Sequence, residues 1–486
     1  MALKSLFKQT FIYGLATVLP RMLSFLLVPL YTSEKVLGSP AEYGTVSLIF
    51  SYFVLFNVIL AYGMETAFFR FYNKEKDQDT VIGTSSISLI VSSFLFLVIS
   101  YLSIDQISQI TVIEPRYLKL VIWILFLDAL VIIPFAWLRA QTKATTYTII
   151  KLSNVAINLG LNLFFLLALP ELSKSSNFWD SLYIEGYQIS YILWANIIAS
   201  GVTLVMVSPT YIRLRWSFNR QLWMRMMRYA YPVLIAGIAF SINETFDRIL
   251  LKGLLPAEVA DTQIGMYSAC YKLALFMTLF ATAFRLGVEP FFFSHANTIN
   301  PQTNYARILE FFVAIGSCIL LIVVVFADVL KILIIRSEAY WEAMWIVPIV
   351  LMANFFLGIY HNLSVWYKIT DRTRYGAIIS VIGALVTLVI NILFIPKFGF
   401  KASAVATLIA YGIMAFISFF LGRRFYPIPY KLKKIGSYLI LSSVLAWISF
   451  YQLSGNYYFG ILAIVVFLLA IYVMEKSNIK SILNQQ

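Results

Sequence analysis

Apolar runs of about twenty residues, separated by short polar breaks, recur along the whole chain. Each is long enough to cross a hydrocarbon layer of ~30 Å as a helix. Fourteen such spans are predicted, near 9–31, 43–68, 82–104, 117–138, 146–169, 188–209, 229–252, 264–289, 306–327, 342–366, 375–395, 402–422, 435–452 and 456–474. The expected fold class is therefore all-α integral membrane. No connection exceeds about twenty residues, which leaves no room for a soluble catalytic domain.

The polar breaks test the count, because alternate loops of a polytopic protein differ in Lys and Arg content. One set carries Lys74 and Lys76, Arg139 and Lys143, then Arg213, Arg215, Arg220, Arg225 and Arg228. It continues with Lys368, Arg372 and Arg374, and ends with Arg423, Arg424, Lys431, Lys433 and Lys434. The other set holds one or two cations each, such as Lys35, Lys174 and Lys252, beside carboxylates such as Glu34, Glu171 and Asp261. With no span missed, both termini face the cytoplasm.

Composition agrees with this picture, since 60% of the 486 residues are hydrophobic and 12% are charged. Much of the +14 net charge is the loop bias, so the basic balance does not imply a nucleic-acid partner. Cys270 and Cys318 lie inside apolar runs and suggest neither a disulfide framework nor a metal knuckle. His295 and His361 belong to no metal or catalytic constellation. Lys4 and Lys8 precede a run that contains Pro20 and Arg21 and lacks a small-residue cleavage site, so a retained first span is expected.

The chain also repeats itself. EYGTVS and GMETAFF around the second span return as QIGMYS and GVEPFFF around the eighth. Gly44, Ser47, Gly63, Glu65 and Phe68 then correspond to Gly265, Ser268, Gly287, Glu289 and Phe292. A second match is ungapped: Arg139, Lys143 and Asn162 stand 229 residues before Lys368, Arg372 and Asn391. The expected organisation is a six-helix lobe over 1–210, a second of the same orientation over 229–422, and two additional helices over 433–475. Glu65 and Glu289 sit near the same end of equivalent spans. Each either pins its helix end to a nearby cation, with Arg70 and Arg285 as the partners close in sequence, or acts directly in transport.

PRMLSFLLVPLYT followed by EYGTVSL, and FDRILLKGLL followed by IGMYSACYKL, resemble the paired landmarks of polysaccharide and oligosaccharide flippases. That family belongs to the superfamily of multidrug-and-toxin extruders and lipid II flippases, and the resemblance runs from about residue 8 to 422. It implies two lobes in a V around a central cavity that opens alternately to each side of a bacterial inner membrane. It further implies a lipid-linked oligosaccharide as cargo, moved to the outer leaflet without covalent chemistry. Membrane lipids and other polysaccharide-assembly membrane proteins are the remaining partners it suggests, for a chain expected to be a monomer.

Intramembrane charge bears on that cargo, because a cation at mid-bilayer costs roughly 2.5–3.5 kcal/mol and usually faces a cavity or a partner. Lys151 lies near the end of its span and is expected to snorkel. Glu244, Asp247 and Arg248 share a helical face and can neutralise one another. Arg21, Lys272 and Arg285 are the cations least explained by sequence neighbours, and they are the candidate diphosphate-binding residues, against structural pairing with carboxylates such as Asp128. Glu65, Asp128, Asp247, Arg248 and Glu289 are candidates for gating or ion coupling, with H+ or Na+ as the ion and no other cofactor implied. An antiporter of organic cations would line its cavity with unpaired carboxylates, whereas here the middle of the first span carries Arg21. The runner-up functions are a lipid II flippase, whose anchor presents the same diphosphate, and a multidrug-extruder-like antiporter. A membrane glycan polymerase or transferase is the competing class, to which Asp77-Gln78-Asp79 offers a DxD; its short polar loop reads better as a solvated connection.

The topology is open to a direct test. Reporter fusions after residue 215 and after residue 430 are both expected to report the cytoplasmic side, and an outer-side signal from either means a miscounted span.

Overall fold

The computed structural model describes residues 22, 25–212, 214–294 and 301–483. Most of the first predicted span, with Arg21, lies outside the described residues, as does His295. Twelve described helices are long and apolar enough to cross a membrane, and no strand occurs among the described residues. They match predicted spans two to six and eight to fourteen. The seventh is the 35-residue helix Arg220–Leu254, whose apolar run is interrupted by Asn243, Glu244, Asp247 and Arg248.

Contacts divide the chain into two compact units, Met1–Gly265 and Met266–Gln486. In the first, the labelled helices are α1 (Pro40–Ala61), α2 (Met64–Lys74), α3 (Gln78–Leu102), α4 (Pro115–Leu130), α5 (Ile132–Ala140), α6 (Ala144–Leu163), α7 (Gln188–Ile212) and α8 (Arg220–Leu254). Helix α9 (Ala257–Tyr271) carries the chain into the second unit. There follow α10 (Leu275–Ser294), α11 (Pro301–Val325), α12 (Val347–Leu363), α13 (Val365–Ile369), α14 (Arg374–Phe398), α15 (Phe400–Phe425), α16 (Leu432–Trp447) and α17 (Tyr457–Leu483).

Local chemistry sets where these helices start. Ser39 caps α1 by accepting the Glu42 amide at 3.4 Å, Pro40 fills the first helical position, and Glu42 reaches back past the cap to accept the Gly38 amide at 3.1 Å. Asp77 caps α3 by accepting both the Thr80 amide and its hydroxyl. Those hydrogen bonds, the hydroxyl's first, hold its carboxyl below the usual carboxylate range. The DxD is thus a helix start rather than a solvated connection, with Asp77 as the cap and Asp79 in the first turn of α3, which begins before the predicted 82. Between α1 and α2, Tyr62 and Gly63 take left-handed φ values of 33° and 73°, so one span bends into two helices. Gly63 serves a second purpose there, because a side chain would strike the Ala230 carbonyl of α8.

Within bilayer hydrocarbon, helices associate through close packing rather than apolar burial, and small residues make that possible. The repeated glycines do so in a reciprocal way. A Cβ at Gly44 would strike the carbonyl oxygen of Asp261, and one at Gly265 would strike that of Pro40. Each obstructing carbonyl stands four residues before the other glycine, so α1 and α9 cross backbone against backbone in a two-fold arrangement. Asn162 and Asn391 are likewise treated alike. Both are fully buried, and both donate Nδ2 to the carbonyl four residues back, Asn158 or Thr387, at 2.8 Å. Each also accepts a hydroxyl at 2.8 Å, from Tyr31 or Ser403.

The second unit packs α12, α14 and α15 around buried Trp366, whose ring nitrogen donates to Ser418 at 3.3 Å. The last two helices are held to α11 by a buried charge network. Lys434 of α16 contacts Glu310 of α11 at 3.0 Å and Glu475 of α17 at 2.5 Å, and Tyr438 donates to Glu475 at 3.0 Å.

The glycine crossing generates a stability prediction. Gly44→Ala and Gly265→Ala should each lose about 1–3 kcal/mol as the helices are forced apart. Gly160→Ala, at a site with no atom within 4 Å of an added Cβ, should be neutral or stabilising. Thermal unfolding in detergent reads all three, and a Gly44→Ala protein as stable as wild type would mean that the close crossing is not made.

Candidate functional site

Ionisable side chains in the first unit converge near the cation-rich loops. Glu65 sits in the first turn of α2, immediately after the Tyr62–Gly63 bend, and forms an ion pair with Arg139 near the end of α5. The Arg139 guanidinium also lies 4.7 Å from the ring of Phe69 and 5.8 Å from that of Tyr147. Arg70, the partner expected from proximity in sequence, instead stands over Tyr229 at 4.2 Å. The reason is geometric: five residues along a helix turn a side chain by about 140°, away from Glu65.

The second unit repeats the pair. Lys368 of α13 contacts Glu289 of α10 at 2.6 Å. Arg285, four residues before Glu289 on the same face, is not its partner and makes no ion pair among the described residues. An Arg preceding a Glu is the weaker order for such a helical pair, and Lys368 reaches the carboxylate first. Both ion pairs are half-buried, with side-chain exposures of 33% and 43% in the first unit and 29% and 35% in the second. Arg285 and Lys368 both act electrostatically on His361 of α12. Two cations thus lie close to His361 and one carboxylate answers them, so the cluster carries net positive charge.

The remaining candidates are placed apart. Lys272 stands in the 3-10 turn Lys272–Ala274 that separates α9 from α10. Thirteen residues separate it from Arg285, roughly 20 Å along a helix, so one small headgroup does not meet both at once. Asp247 and Arg248 are buried and pair with each other at 2.8 Å, the local neutralisation expected of that face. Asp128, midway along a span, accepts the Ser200 hydroxyl at 2.7 Å. Its charged neighbour among the described residues is Lys151. Lys151 does not snorkel as expected: its ammonium rests 4.4 Å from the Phe135 ring, on a buried cluster with Leu138 and Ile150. Arg139, Lys368, His361 and Lys151 were not singled out from sequence as site residues. For the first two the signal was present, because the 229-residue offset pairs Arg139 with Lys368 and the repeat pairs Glu65 with Glu289.

A family model described as "Polysaccharide biosynthesis protein" matches residues 6–294. Among solved structures the chain is similar to the lipid II flippase MurJ in an inward closed conformation, at 16% identity over 96% of this chain and 100% of that one, with a TM-score of 0.73. It is also similar to an inward-facing multidrug resistance MATE family transporter of the MOP superfamily, at 13% identity over 89% and 96%, with a TM-score of 0.66. A MOP superfamily transporter from Pyrococcus furiosus, described as having a binding pocket of reverse polarity, gives 13% identity over 89% and 96% and a TM-score of 0.62. At such identities the likeness is one of fold. No curated protein matches the chain.

Half-exposed ion pairs are screened and contribute little to stability. In a double-mutant cycle of Glu65→Ala and Arg139→Ala, the coupling measured by thermal unfolding should be about 0.2–1 kcal/mol. A coupling above about 3 kcal/mol would identify a sealed pair and contradict the exposure described here.

Proposed function

The chain belongs to the polysaccharide biosynthesis protein family, and we propose that it is a membrane transporter, not an enzyme, that flips a polyprenyl-diphosphate-linked oligosaccharide; the fold it shares with solved flippases and transporters supports this reading. Movement runs from the cytoplasmic to the outer leaflet of a bacterial inner membrane, by alternating access, for export of a cell-surface polysaccharide. The observation that carries this reading is Arg285: half-buried in a spanning helix, in no ion pair among the described residues, and grouped with Lys368 and His361. Arg285 lies four residues from the end of the span Ala257–Glu289, where a headgroup can reach it, and a diphosphate offers oxygens that the planar guanidinium can hold in a fork. Glu289 on Lys368, and Glu65 on Arg139, are carboxylates that an incoming phosphate can displace, so the repeated pairs suit transient capture near the cation-rich end. Arg21 and Lys272 complete the proposed cationic path as residues for later contact. Glu65, Glu289, Asp247 and Arg248 are the proposed gating residues, since their pairs must break or hold as the helices move.

Organic-cation antiport fits this charge less well, because the second-unit cluster would repel such cargo. That a MOP superfamily transporter is described by reversed pocket polarity supports reading function from the sign of charge. The lipid II flippase remains the second reading, favoured by the match to MurJ over the whole of that chain. Mass spectrometry of lipids that co-purify with the protein separates the two by their glycan.

Arg285→Ala should reduce flipping of the co-purifying lipid in liposomes by about 10- to 100-fold, the worth of one or two charge-assisted hydrogen bonds. Arg285→Lys should retain part of the rate, since charge survives without the fork. Thermal stability should stay near wild type. A stable Arg285→Ala protein that flips at the wild-type rate would remove the anion-binding role.

A further inference from the structure

We infer that Asp128 and Lys151 form a proton-accepting dyad that couples proton movement to the conformation of the first unit. The inference rests on the translocation reading above and adds the ion that drives it. Asp128 is the fourteenth residue of the 26-residue span Pro115–Ala140, so it lies at mid-membrane. One carboxylate oxygen accepts the Ser200 hydroxyl of α7 at 2.7 Å, and the other has no hydrogen-bond partner among the described residues. Lys151 of α6 is near enough to act on it electrostatically, yet the two make no ion pair within 4 Å. The ammonium rests on Phe135 instead, at 4.4 Å. Among the described residues Lys151 is the charged group acting on Asp128. The helices α1, α3 and α5 and the segment Ile104–Thr111, which also pack on α4, present no other to it, while Arg139 of α5 acts on Lys151.

The dyad has no copy in the second unit. At the 229-residue offset its positions hold Leu357, buried at 7% exposure, and Ser380. A carboxylate at mid-span with a cation one helix away, kept in only one of the two units, is not a requirement of the fold. Protonation of Asp128 would give the dyad two states. With the carboxylate ionised, attraction draws Lys151 from Phe135 toward Asp128; with a proton on the free oxygen, that attraction is gone and the ring retains the ammonium. Phe135 and Arg139 share α5, so the position of Lys151 bears on the helix that holds the Glu65 ion pair. The proton comes from water on one side, forms an O–H bond at Asp128, and returns to water on the other side when that bond breaks; no oxidant or second reactant enters. A sodium ion suits the site less well, because Lys151 already offsets the one carboxylate and a bound cation would add like charge beside it. The neighbouring side chains are neutral: Asn154 donates to Thr203 at 2.9 Å, and Thr203 to the Ala199 carbonyl at 2.8 Å.

The test needs no cargo, so its failure is separable from failure of the flippase assignment. The full chain in vesicles of phosphatidylethanolamine and phosphatidylglycerol is followed by infrared difference spectroscopy through acid and alkaline pulses. The expected result is a carboxylic C=O band that titrates with pH, is lost in Asp128→Asn, and changes its pH midpoint in Lys151→Met. The Lys151→Met variant also covers the case in which Asp128→Asn fails to fold. The inference is overturned if the band survives in Asp128→Asn, if its midpoint is the same in Lys151→Met, or if sodium chloride at fixed pH removes it as alkali does.

Discussion

Charge inside hydrocarbon has to be answered, and much of this architecture follows from the answers. Removing ions from water costs several kcal/mol each, so a spanning helix keeps a charged residue only where a partner, a ring or a hydroxyl receives it. Asp247 and Arg248 answer one another on a single turn. Glu310 recruits Lys434, which in turn holds Glu475, and three helices are tied by one ammonium. Lys151 takes the face of Phe135, and Asp128 takes the hydroxyl of Ser200. Arg285, like Lys151, is half-buried and makes no ion pair among the described residues, and unlike Lys151 it lies near the cation-rich end of its span.

The repeat uses the same device twice and then departs from it. Glu65 with Arg139 and Glu289 with Lys368 are the same ion pair drawn from duplicated positions, and Asn162 and Asn391 bury the same amide pattern. Around these anchors the units diverge. The first bends at Tyr62–Gly63, whereas the position equivalent to Gly63 is Gly287, inside the continuous helix α10; the corresponding break comes instead at Lys272–Ala274. The two helices joined by Gly399 alone in the second unit are separated in the first by Phe164–Tyr187, which carries short helices at Leu169–Ser173 and Asn177–Asp180. Keeping the ion pairs while moving the bends leaves the same charge pattern in two units whose helices break at different points along the chain.

The sequence by itself determined what depends on one dimension. Span length, the alternation of Lys and Arg between loops, and the repeat offset are all counted along the chain, and they led to an all-helical membrane protein with spans close to those observed. The helix starts at Ser39 and Asp77 lie a few residues before the predicted spans, since a cap acts on amides two or three residues away and is set by polar residues that the apolar runs leave out. Packing then chose the partners. Glu65 had Arg70 five residues away and took Arg139, seventy-four positions distant, because helical rotation removes the first and folding delivers the second. Lys151 looked free to snorkel until α5 placed Phe135 beneath it. Gly44 and Gly265 were visible as a repeat, but nothing along the chain said that the two would meet. Contacts between helices depend on which face each turns toward the other, and that choice belongs to the folded chain because no local interaction encodes it.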